Sequence, residues 1–109
     1  MRKIEADMIA AVKSHRSWKS GNTQVQISPK DGSAHVYLHG NPIAIECKNG
    51  WMISDCGWQT TTTKSRLNAL LGAVIDRPVS IGQRNYVWRL YDASKSKVIE
   101  ECDINLVQF

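Results

Sequence analysis

The sequence predicts an α+β fold: an antiparallel β-meander with an N-terminal helix, a second helix packed on one sheet face, and a C-terminal β-hairpin. Near the N-terminus, apolar residues recur at three- and four-residue steps, the period of an amphipathic helix. Residues 23–55 hold short alternating segments separated by Gly, Pro and Asn, the pattern of strands joined by tight turns. Four consecutive threonines, Thr60 to Thr63, then lead into a second stretch of helical period. Threonine is a good N-cap and a poor helix-interior residue, so the run marks where a helix begins.

The first predicted helix covers residues 2 to about 18, with Ile4, Met8, Ala11 or Val12, and Trp18 on its apolar side. Ser20-Gly21-Asn22 stops it. Four strands follow, at Thr23–Ser28, Ala34–His39, Pro42–Cys47 and Trp51–Asp55. Pro29-Lys30-Asp31-Gly32 joins the first two, Gly40-Asn41 is read as a two-residue hairpin turn, and Asn49-Gly50 is the strongest hairpin signal. With those turns Leu38 falls opposite Ile43, Val36 opposite Ile45, and Cys47 opposite Met52. Val36, Leu38, Ile43, Ile45, Cys47 and Met52 then share one face, leaving His35, Tyr37, Ala44, Glu46, Trp51 and Ile53 on the other. The second helix runs from Thr63 to about Ile75, on an apolar stripe of Leu67, Leu70, Leu71, Val74 and Ile75, and ends at Asp76-Arg77-Pro78. A short strand at Val79–Ile81, a longer one at Asn85–Tyr91, its return at Lys97–Glu101, and a strand or ordered tail from Ile104 to Phe109 complete the chain.

At 109 residues there is room for one domain, and 42% apolar with 22% charged residues is the makeup of a globular chain. No apolar run approaches the ~20 residues of a membrane span. The mixed charges of Met1 to Asp7 do not resemble a signal peptide, so the cytoplasm is the expected compartment and no membrane partner is expected. Cys47, Cys56 and Cys102 are widely spaced and odd in number, and are expected to be reduced, buried apolar residues. The net charge of +4 permits contact with nucleic acid without requiring it.

Little in the chain has the spacing that chemistry needs. The helix start at Thr60–Arg66 offers backbone N–H groups, hydroxyls, Lys64 and Arg66 to an anion, but it lacks the glycines of a phosphate loop, and threonines capping their own helix are the favoured explanation. His35 and His39 lack any zinc spacing with Cys47 and Cys56, and His35 is expected to pair across strands with Glu46. Cys56 is the most exposed thiol candidate, with no base placed beside it. Glu100 and Glu101 are strand neighbours and point to opposite faces. No catalytic residue, metal site or cofactor is expected. The sheet face with Tyr37 and Trp51, joined by Trp88 or Tyr91 from the C-terminal hairpin, is the main candidate surface. Either the C-terminal hairpin covers it as a second small core, which the rarity of exposed apolar patches favours, or it binds a partner through its aromatic rings and basic neighbours.

The segments Val36–Ala44 (VYLHGNPIA), Gly57–Leu70 (GWQTTTTKSRLNAL), and Val79–Ile81 with Val87–Leu90 resemble a family of small tailed-bacteriophage proteins. The resemblance spans residues 36–90, its middle segment being the distinctive one. It implies origin and not an activity, and the N-terminal helix and C-terminal hairpin depart from the family's shorter members. The resemblance, and no site, leads to the expectation of a non-enzymatic phage accessory protein, acting in the host cytoplasm, that binds and occludes a host macromolecule, a host protein by preference, through an aromatic and basic surface. Tyr37, Trp51, Lys64, Arg66 and Trp88 are its expected contact residues. The alternative is a single-stranded nucleic-acid binder using the same face.

Overall fold

The computed structural model describes all 109 residues, and the fold is α+β with antiparallel sheets. Helix α1 spans Lys3–Lys13 and buries Met8, Ala11 and Val12. It stops five residues earlier than its periodicity suggested. His15 turns left-handed (φ 48°), and the Ser14 hydroxyl folds back onto the Ala10 carbonyl, so the chain leaves the helix and Trp18 opens strand β1, Trp18–Ser20. Gly21-Asn22, read as a helix stop, is the hairpin turn that pairs β1 with β2, Thr23–Ile27. Strands β3 (Ala34–Leu38), β4 (Asn41–Cys47) and β5 (Gly50–Ile53) continue the meander.

Both central turns lie one residue before the expected positions. Leu38 pairs with Asn41 around His39-Gly40, whose φ values of 51° and 79° are those of a type I′ turn. Cys47 pairs with Gly50 around Lys48-Asn49. A one-residue slip exchanges the faces of a strand, and it does so here: Ala44, Trp51 and Ile53 point inward, while Ile45 and Met52 join His35 and Tyr37 on the outer face. Ile43 remains buried because a bulge opposite Val36 and Tyr37 inserts one extra residue, which turns Ile43 and Ala44 inward together.

Helix α2 spans Thr61–Leu70 and continues as a π turn over Leu71–Ile75, closed by left-handed Asp76 (φ 56°). A separate three-stranded sheet follows: β6 Val79–Arg84, β7 Val87–Asp92 and β8 Lys97–Glu101. Its first turn is Asn85-Tyr86, two residues that the sequence placed in the strand. Strand β9, Val107–Gln108, returns to β5 and completes a six-stranded sheet in the order β1-β2-β3-β4-β5-β9.

Helix α2 touches β4 on one side and β6 on the other, so the two sheets share it. Leu67, Leu70 and Leu71 are fully buried there, in one core that joins α1 to both sheets. The C-terminal sheet therefore packs on the helix side and does not cover the outer face that carries Tyr37. No helix is long and apolar enough to cross a membrane.

Strand β6 is an edge strand, and Asn68 closes part of its edge. The Asn68 amide donates to the Ile81 carbonyl (3.0 Å) and accepts from the Ile81 amide (2.7 Å), as a neighbouring strand would. Asn68→Ala is expected to cost about 2 kcal/mol, because both Ile81 groups lose their partners. Urea unfolding measures it, and a midpoint equal to wild type would show that water replaces the amide.

Candidate binding cleft

The N-terminus of α2 forms one wall of a cleft. Thr60 has extended dihedrals, and its hydroxyl accepts the Thr63 amide at 3.1 Å, so the threonines cap their own helix. The segment before it is held by Asp55. One carboxylate oxygen accepts the Gly57 amide (2.8 Å), and the other accepts the Gln59 side chain (3.0 Å) and the Ile104 amide (3.1 Å). Cys56 and Gly57 are both left-handed (φ 54° and 78°), and this reversal throws Trp58 outward until its side chain is 61% exposed.

The cleft encloses about 330 Å³. Leu38 and Ile43 form its apolar floor, His39 and Asn41 come from the β3–β4 turn, and Trp58 and Thr60 stand opposite. Segments 36–44 and 57–70, far apart in the chain, thus meet in one hollow. Its chemistry suits recognition: an apolar floor, a few polar rim groups and one open aromatic ring. Asp55 is occupied by three donors. With the Thr60 hydroxyl on the Thr63 amide, Arg66 buried and no cation in the lining, the anion site considered for Thr60–Arg66 does not assemble.

The five expected contact residues do not share a surface. Arg66 is 4% exposed: its Nη1 lies 2.8 Å from Glu5 Oε2, and its Nε donates to the Thr23 hydroxyl at 3.1 Å. Trp51 is 8% and Trp88 2% exposed, both in the core. Lys64 is half-exposed, with its ammonium 6.0 Å from the centre of the Trp88 ring and 3.5 Å from the Gln83 side-chain oxygen. Tyr37 is half-buried on the outer sheet face, away from the inward Trp51. Nor does His35 pair with Glu46. It meets the Ser33 hydroxyl (3.1 Å), while Glu46 holds the Ala34 amide (3.0 Å) and His15 (3.0 Å). All three cysteines are free, but Cys102 is exposed and the others only half-buried, which corrects the expectation of fully buried thiols.

Trp58 lies within the distinctive segment but outside the expected contact residues. Its signal was local: a large apolar residue between a glycine and a helix cap, in a loop too short to bury it.

The model of one protein family, the Kyanoviridae Gp96 protein, matches residues 1–105. No curated protein and no solved structure matches the chain. The match includes α1 and the whole C-terminal sheet, so those parts belong to the family's chain and are not additions to it.

Proposed function

The chain belongs to the Kyanoviridae Gp96 family of phage proteins, and from that premise we propose that it is a non-enzymatic accessory protein that binds and occludes a host protein. The observation that carries this reading is Trp58, a tryptophan left 61% exposed on the lip of a preformed cleft. Tryptophan dominates the energetics of protein interfaces when a partner desolvates it, and the cleft beside it is sized for an apolar or aromatic side chain from that partner. The backbone around it is fixed in advance by Asp55, so little ordering is required on binding. Occlusion requires only that the bound mass cover the partner's working surface, for which no reactive group is needed.

Trp58→Ala tests the proposal. The side chain packs little in the free protein, so folding should be unaffected. Affinity for a host protein captured by the wild type is expected to fall about 30-fold or more, the effect of truncating an interface hot spot. Equal capture by both proteins would remove the cleft from the interface.

A further inference from the structure

We propose that the outer face of the β6–β7 hairpin, tipped by Tyr86, is a contact surface for single-stranded nucleic acid, separate from the Trp58 cleft. Tyr86 stacks on a base, and Arg84 and Arg89 hold the adjoining phosphates.

The tip combines a left-handed backbone with a large exposed ring. Asn85 and Tyr86 have φ values of 51° and 65°, so the turn is type I′. Its second position favours glycine, and a bulky side chain there is a conformational outlier. The Tyr86 ring, 92% exposed, returns no packing in exchange. A strained residue whose side chain does nothing for the fold points to a function.

Strand alternation aligns the rest. The pairs Arg84–Val87, Gly82–Arg89 and Ser80–Tyr91 share one side of the sheet, so Arg84, Arg89 and the exposed Tyr91 lie on a common face. Gly82, opposite Arg89 and two residues before Arg84, has no atom within 4 Å of where a side chain would begin, which leaves open space beside both arginines. Arg84 has no carboxylate partner, and Arg89 has only a long contact of 3.7 Å to the half-exposed Glu101. Two exposed rings flanking two cations offer a single strand both stacking platforms and phosphate contacts. The wider surface favours an anion. Burial removes Arg66 from the fourteen cations, and Glu5, Asp55 and Asp92 from the ten acids, so the accessible balance is more positive than the formal +4. An acidic peptide would use the cations but not the exposed rings.

The test is fluorescence anisotropy of a labelled oligothymidylate, first at low salt and then as salt rises. Wild type should bind and weaken steeply with salt. Tyr86→Gly keeps the turn, since glycine is at ease there, and removes the ring. It is expected to bind about tenfold more weakly or worse. Arg84→Gln should reduce the slope of log affinity against log salt by about 0.7, the share of one phosphate contact on a single strand. Capture of the host protein, scored in parallel, should survive in Tyr86→Gly, which separates this surface from the cleft. Absence of oligonucleotide binding by wild type, equal binding by Tyr86→Gly, or binding confined to polyglutamate would each overturn the proposal.

Discussion

Arg66→Met is expected to destabilise the protein by about 3–5 kcal/mol and to invert the pH dependence of what stability remains. The guanidinium joins three elements: it pairs with Glu5 of α1 at 2.8 Å, belongs to α2, and donates to Thr23 of β2 at 3.1 Å. The Thr23 hydroxyl passes the network on to Asn22 at 2.8 Å. Both members of the ion pair are about 5% exposed, so removal of the cation strands a carboxylate in a medium that solvates it poorly. Glu5→Leu combined with Arg66→Met removes both charges, and is expected to recover most of the loss, which a double-mutant cycle would read as strong coupling. The pH effect has a definite sign. Burial pushes the Glu5 carboxyl up, but hydrogen bonds from Ser65 and Arg66 and the guanidinium charge outweigh it and hold the group below its ordinary 4.5. A depressed folded value contributes stability that is present above about pH 4.5 and is lost as pH falls through the folded value. In Arg66→Met both guanidinium contributions are lost, and burial, the largest single effect, is opposed only by the smaller contributions of Ser65 and the Arg2 backbone, so Glu5 is expected to lie above its ordinary value. The variant should then be more stable near pH 4 than near pH 7, the reverse of the wild-type contribution. Urea unfolding at the two pH values decides it, and parallel profiles for the two proteins would refute the role given to Arg66.

Periodicity located the helices and the meander because apolar spacing is set by burial. It did not locate the turns. Gly40 and Asn49-Gly50 are strong turn residues, yet the hairpins close at His39-Gly40 and Lys48-Asn49, since the bulge at Ile43 and a requirement at Gly50 set the register from outside the turns. That single-residue error exchanged the faces of β4 and β5, and with it the expected site: Trp51 went from surface to core and Met52 from core to surface. Arg66 was misplaced for a different reason. A basic residue one turn into a helix has the same local pattern whether it meets solvent or a buried acid 61 residues away. The threonine cap, by contrast, was legible because Thr60 and Thr63 are its only participants. The cleft was half legible. Each of its two walls has a local sequence signature, but their meeting depends on Asp55 tying the loop to Ile104, a contact across 49 residues that no local pattern encodes.

Gly50→Ala is expected to detach β9 at a cost of about 2–4 kcal/mol, because Gly50 is needed for close approach and not for a turn. A Cβ built there would lie 1.7 Å from the Phe109 carbonyl oxygen and 2.8 Å from its carbon, and both are backbone atoms. The residue also has φ +152°, which side chains rarely adopt. Strand β5 cannot retreat, since β4 binds it along Ala44–Ile53, Ile45–Met52 and Glu46–Trp51. Strand β9, two residues long and on the sheet edge, must yield. With it go the Trp51–Phe109 bonds (3.1 and 2.8 Å), worth about 1 kcal/mol each net, and the packing of half-buried Val107 and Phe109 on the core. The Trp51 amide should become fast-exchanging in hydrogen–deuterium exchange, while amides of the β6–β8 sheet keep their protection. Gly57→Ala is the control. Gly57 is left-handed at φ 78° but has nothing within 4 Å, so its substitution should cost only the conformational strain of about 1–2 kcal/mol and leave Trp51 protected. If Gly50→Ala kept both its stability and its Trp51 protection, Phe109 would not be held against β5 in solution, and β9 would not be part of the sheet.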